Sequence, residues 1–181
     1  MKHIVLGVTG SIAAYKAADL AHRLHKFGYG VHVVMTRAAQ EFVTPLTFQT
    51  LTGQPVATDL FQKERAWEVA HIALAKQADL VLIAPATANA IGKLANGIAD
   101  DMLTTVAMAA WRKPLLLCPA MNTAMYESPV HQENLARLLA RGAGLVEPKT
   151  ALLACGDTGK GAMAEVDDIV AAVRARLEEE R

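Results

Sequence analysis

A histidine, an amide and a thiol stand out in an otherwise ordinary chain. His71 opens the short stretch His71-Ile-Ala-Leu74, and imidazole exchanges protons near neutral pH. A lone histidine there also serves as a plain core or surface residue, so context must decide its role. Asn122 lies in Pro119-Ala-Met-Asn-Thr-Ala-Met125, where an apolar run stops at proline and an amide is set between two methionines. That amide suits a carboxylate or another amide. Met121 and Met125 suit packing against a flat ring, or the commoner task of filling core gaps. Cys155 sits in Ala154-Cys-Gly-Asp-Thr-Gly-Lys-Gly161, where glycine follows at 156, 159 and 161. A thiol in such a pliable loop is placed to give a proton to a reactive intermediate beneath a closing flap. Cys118, inside an apolar run, reads as structural. His3, His22, His25, His32 and His131 have no comparable setting, and His22 and His25 are expected in solvent on one helix.

Two further segments suit an anion and a ring. Gly7-Val-Thr-Gly-Ser11 follows the first apolar run and opens a helical one. Gly10 allows close backbone approach, while Ser11 and the amides of a helix start donate hydrogen bonds to phosphate. The segment is neither a full GxGxxG nor a Walker loop, and such a turn is as often structural. Thr36, at the next strand end, adds a second hydroxyl. Pro85-Ala-Thr-Ala-Asn89 offers small side chains, one hydroxyl and one amide. That set suits a flat ring approached by backbone and edge hydrogen bonds. It suits a helix start capped by Thr87 or Asn89 equally well.

The elements that must hold these groups alternate. Strands are predicted over His3–Val8, Val31–Met35, Leu80–Ala84, Leu115–Cys118 and Leu145–Val146. Helices are predicted over Ala13–Phe27, from Thr44 to Thr50, and over His71–Gln77, Ala90–Ala95, Met102–Ala110, Pro129–Arg141 and Val166–Glu179. Pro85 and Pro119 are expected to end their strands, and residues 150–165 to form a loop or flap. Continuous apolar strands alternating with helices imply a parallel sheet covered on both faces. The expected class is therefore α/β, a three-layer Rossmann-like or flavodoxin-like sandwich. Its ligands bind beyond the carboxyl ends of the strands, where each small polar segment falls.

The 181 residues suit one domain, 1–181. Lys+Arg and Asp+Glu are equal at 18 each, which argues against a nucleic-acid partner. No run reaches the ~18 apolar residues of a membrane span. Two distant cysteines make neither a disulfide framework nor a metal motif, so no metal is expected. A cytoplasmic location is expected. Aromatic residues are 5% and alanine is plentiful, which suits close packing between subunits.

Taken in order, these segments resemble the homo-oligomeric flavin-containing cysteine decarboxylases over nearly the whole chain. The likeness rests on Gly7–Ala14, His71–Leu74, Ala84–Asn89, Pro119–Tyr126, Ala154–Asp157 and Gly161–Glu165. It implies FMN as cofactor, held by Gly10, Ser11, Ile12, Thr36, Thr87, Ala88, Asn89, Ala90 and Ala120. It implies His71 as the residue assisting oxidation and Cys155 as the proton donor of the final reduction. Asn122, Lys76, Met125, Ala154 and Gly156 are the implied substrate contacts. The implied reaction oxidises a cysteine side chain to a thioaldehyde, loses CO2 to an enethiol, and reduces that to a thiol. The branch carrying the Cys155 segment acts on 4'-phosphopantothenoylcysteine, yielding 4'-phosphopantetheine for coenzyme A. The family places its FMN site between subunits of a homotrimer, sometimes built into a dodecamer, and a phosphopantothenoylcysteine synthetase is often fused to it. Lys76 stands where relatives often have a substrate-binding arginine, so it brings a point charge without the bidentate fork. Ala90, Tyr126 and Ala162 also depart from the pattern of some relatives. Lantibiotic-type peptidyl-cysteine decarboxylases and flavin prenyltransferases share the fold without needing the Cys155 segment. Phosphatase-inhibitory relatives carry long extra segments, often acidic, where this chain shows only a short glutamate run.

Overall fold

Apolar runs of five to seven residues need both faces covered, and the chain supplies the cover in alternation. The computed structural model describes residues 1–61, 70–154 and 156–178. Strands β1 (His3–Val8), β2 (Gly30–Met35), β3 (Leu80–Ala86), β4 (Leu115–Pro119) and β5 (Gly144–Leu145) form one sheet in the order β2-β1-β3-β4-β5. Every pairing in it is parallel, with Ile4 opposite both Val31 and Leu80, and Leu116 opposite Gly144. This is the flavodoxin-like order, whose switch point lies between β1 and β3.

The pleat sends alternate side chains to two cores. On one face Ile4, Leu6 and Leu82 meet Leu20 and Leu24 of α1 (Ala14–Lys26), Phe48 of α2 (Pro45–Thr52), and Ile169 and Val173 of α8 (Val166–Glu178). On the other, Val5, Ile83 and Leu117 meet Ala75 of α3 (Ala70–Gln77), Ile91 of α4 (Ala88–Asn96), Leu103 and Val106 of α5 (Met102–Ala109), and Leu135 and Leu138 of α7 (Pro129–Ala140). All seven residues of β3 are buried, which is why its sequence shows no alternation. Cys118 is fully buried in the first core, and burial pushes its thiol far above the usual range.

Several local features depart from the sequence reading. First, residues 150–165 are more ordered than a loop: β6 (Lys149–Leu152) and β7 (Thr158–Ala162) pair as an antiparallel hairpin. Glycine-rich β7 has a single strand-forming side chain, Thr158, and its glycines serve a close approach instead. Gly161 has φ +155°, and a Cβ there would run into the Met121 carbonyl oxygen. Met121 N–H donates to Gly161 O at 2.9 Å, fastening the hairpin to the turn after β4. Second, β3 does not end before Pro85. It continues to Ala86, which pairs with Pro119 after a shift in register, and the Ala84–Pro85 bond is cis. Third, a short helix α6 (Thr123–Glu127) follows Asn122, whose side chain accepts the Ala124 N–H at 2.8 Å. His22 also departs from expectation, since its Nδ1 is buried rather than solvated.

Candidate functional site

At the carboxyl ends of β1, β2, β3 and β4 the chain folds around a cleft of about 530 Å³, inside the ~300–1,000 Å³ range of small-molecule sites. Its walls are helix beginnings. Thr36 caps the 3-10 turn Arg37–Glu41 by accepting Ala39 N–H at 3.2 Å. Thr87 caps α4 by accepting Ala90 N–H at 3.3 Å. Asp101 caps α5 in a reciprocal box with Thr104. Ser11 lies in the turn before α1, its Oγ accepting Ala13 N–H at 3.3 Å. Helix starts leave N–H groups without intrahelical acceptors and carry partial positive charge, so their convergence makes an anion site. Arg37 and Lys93 line it too. Lys93 donates to Asp100 at 2.7 Å, and that bond, against some burial and with Asp101 alongside, holds its pKa above the usual lysine value.

Thr9 joins the two halves of the cleft. Its buried hydroxyl donates to Pro85 O at 2.6 Å and accepts Thr87 N–H at 3.0 Å. The end of β1 is thereby tied to the end of β3 across the switch point. Sequence reasoning passed over Thr9, although it stands inside the Gly7–Ser11 segment. It also passed over Arg37, Ala38, Lys93, Asp101, Leu103 and Thr104, which share the lining with Met121, one of the two methionines suited to a flat ring. Asp101 before an apolar helical run was the available signal.

Of the residues implied to hold the cofactor, Gly10, Ser11, Thr36, Thr87, Ala88, Asn89, Ala90 and Ala120 line this one cleft, with Met125 at its edge. Ile12 does not line it, and its side chain is 56% exposed. Asn122 caps α6 between Met121 and Met125, outside the lining. Half-buried His71 and exposed Lys76 lie on α3 and do not enter the cleft of their own chain. Ala154 and Gly156 are exposed at the hairpin end. Cys155 lies outside the described residues.

Residues 1–178 match the family model described as Flavoprotein. The chain belongs to the flavoprotein family. A probable phosphopantothenoylcysteine decarboxylase of Streptococcus mutans is 50% identical over 177 residues, covering 97% of this chain and 99% of that protein. The coenzyme A biosynthesis bifunctional protein CoaBC of Bacillus subtilis is 46% identical over 179 residues. The match takes in 99% of this chain and 44% of that longer protein, so the chain spans less than half of the bifunctional relative. Among solved structures, a cysteine-to-serine mutant of PPC decarboxylase complexed with pantothenoylaminoethenethiol superposes with a TM-score of 0.86. It is 34% identical, over 98% of each chain. Membership makes the cofactor a flavin. The cleft suits one, its lining joining the hydroxyls and free N–H groups of helix starts to the small side chains of Ala88, Ala90 and Ala120. Among the described residues no helix is long and apolar enough to cross a membrane, and no cluster of metal-ligating side chains occurs.

Proposed function

We propose that this chain is an FMN-dependent enzyme that decarboxylates 4'-phosphopantothenoylcysteine to 4'-phosphopantetheine and CO2 in coenzyme A biosynthesis. The observation that carries the reading is the joining of the cleft to full-length likeness: eight of the nine implied cofactor residues line one cleft. The relative sharing half of all aligned positions is a probable decarboxylase of that substrate along its whole length. Bound FMN would supply the two-electron oxidation and the later reduction of the substrate's sulfur-bearing carbon. The protein's part is to bind, orient and move protons. Gly10, Ser11 and Thr36 hold the phosphate, and Thr87, Ala88, Asn89, Ala90 and Ala120 border the ring, with the backbone at Ile12 completing the phosphate turn. Asn122 and Met125 hold the reacting end of the substrate with Ala154 and Gly156, and Lys76 offers a positive charge to its carboxylate or phosphate. His71 takes the proton released on oxidation, and Cys155 returns one in the final reduction.

His71 and Lys76 stand outside the cleft of their own chain, which is expected if a second copy completes each site. A homotrimer, possibly joined into a dodecamer, therefore belongs to the proposal. Exposed Ile12 and Tyr15 on the way into α1, and Leu46 on neighbouring α2, supply apolar surface for such contacts. The fused relatives make a phosphopantothenoylcysteine synthetase the natural upstream partner. A cytoplasmic location and a single working unit over 1–181 complete the reading. The test is spectroscopic: titrated with FMN, the purified protein should bind one flavin per chain, turn yellow and elute at the mass of three chains. A protein that stays colourless with excess FMN would refute the reading.

A further inference from the structure

Beside the cleft lies a second cavity of about 380 Å³, which shares Ala88 and Met125 with it. Its lining includes Ser128, which caps α7, and His131 and Asn134 within the first half of that helix. His131 is 4% exposed, and neither ring nitrogen meets a hydrogen-bond partner among the described residues. Its ring leans on that of Tyr126, with centroids 5.4 Å apart and planes inclined by 49°. Burying a polar ring unpaired destabilises a fold, so an unpartnered group of this kind calls for a reason. Rotation about the last torsion of a histidine is broad and roughly two-fold. Both nitrogens are shielded in this rotamer, and turning the ring changes which of its atoms face the cavity it lines.

The chemistry of the lining narrows the ligand. Burial lowers the His131 pKa below the ordinary 6.5, so at neutral pH the ring has one donor and one acceptor. Ser128 Oγ accepts the backbone N–H of His131 at 3.3 Å, and its own hydroxyl hydrogen can still donate. Asn134 Oδ1 accepts from Asn96 at 3.1 Å, and its amide nitrogen remains a donor. No lysine, arginine, aspartate or glutamate lines the cavity among the described residues. An ionised group bound there would lack a countercharge, whereas a neutral amide or hydroxyl finds both donors and acceptors.

We propose that this cavity is a subsite for an uncharged hydrogen-bonding group, an amide or hydroxyl on the arm leading away from the reacting cysteine, and that His131 bonds it. The proposal rests on the decarboxylase reading for the identity of the arm. The shared walls at Ala88 and Met125 let one ligand occupy both spaces.

The experiment uses the FMN-loaded full chain and its His131→Leu and His131→Gln variants. The direct probe is pantothenamide, which carries the hydroxyls and amides of the arm without cysteine, carboxylate or phosphate. Calorimetry should show binding to the unaltered protein, weakened about tenfold or more by leucine and partly recovered by glutamine. With 4'-phosphopantothenoylcysteine the loss should fall on KM more than on kcat. The Tm of the leucine variant should equal or exceed that of the unaltered protein, because an unpaired polar ring has been removed. Equal pantothenamide affinity in all three proteins would overturn the proposal, as would absence of binding to the unaltered one. Weakened binding with a lowered Tm and no recovery by glutamine would reduce His131 to packing and overturn it too. Because pantothenamide binding needs no turnover, a protein that binds it through His131 yet releases no CO2 would keep the subsite and lose the decarboxylase reading.

Discussion

At the residue scale, the hydroxyl of Thr9 and the imidazole of His71 make the sharpest contrast. Thr9 holds Pro85 O and Thr87 N–H together inside the fold. Thr9→Val keeps the shape and strands both partners, so thermal unfolding should show a loss of about 1–3 kcal/mol. FMN should also dissociate more readily, because the start of α4 is no longer tied to β1. His71→Asn should leave folding and FMN binding intact and slow CO2 release by about 100-fold or more. Cys155→Ser should still release CO2 but accumulate the unreduced enethiol, read by mass spectrometry. These residues differed in how plainly they could be read. His71, Asn122 and Cys155 are chemically distinctive types in short motifs. Thr9 and Asp101 are common types whose importance lies in partners far along the chain or in a cap. His131 carries no signal in the sequence, because burial without a partner is a property of packing that no local pattern reports.

At the element scale, the strands and most helices follow from apolar runs, since burial on both faces or one face dictates the residue pattern. The departures have local causes. Thr87 caps α4, so the helix starts at Ala88 rather than Ala90. The β6–β7 hairpin escaped notice because β7, Thr158–Ala162, is chosen for close approach and not for strand propensity. Gly161→Val should therefore clash with Met121, loosen the hairpin from the turn before α6, and raise KM for substrate with FMN affinity little changed. Unaltered KM would show that the docking is dispensable. A second prediction concerns the other end of the sheet, where Asp79 ties the start of β1 to the start of β3. Burial works against ionisation of Asp79, but the His3 N–H at 2.7 Å and the Lys2 ammonium at 3.3 Å outweigh it and hold its pKa below 3.8. A depressed carboxylate pKa stabilises the folded state above the unfolded value, and that contribution is lost as pH falls through the folded one. The stability gap between the unaltered protein and Asp79→Asn should be full at pH 6 and close below pH 3.8, as followed by urea unfolding at each pH.

At the scale of the whole molecule, the parallel sheet in flavodoxin-like order gathers its small polar segments at one end, and these line the cleft proposed for the cofactor. That much was legible, because strand ends and turn residues are written locally. The relation of His71 to the cleft was not, because α3 lies outside the lining and the proposed contact is made between copies. The central claim is a complete reaction, oxidation through reduction, on one substrate. Its most direct measurement is mass spectrometry of the products after the FMN-loaded protein has been incubated with 4'-phosphopantothenoylcysteine and no other reductant. One 4'-phosphopantetheine should appear for each CO2 released. CO2 accompanied by an accumulating enethiol, or no release of CO2 from protein that has bound FMN, would contradict the account.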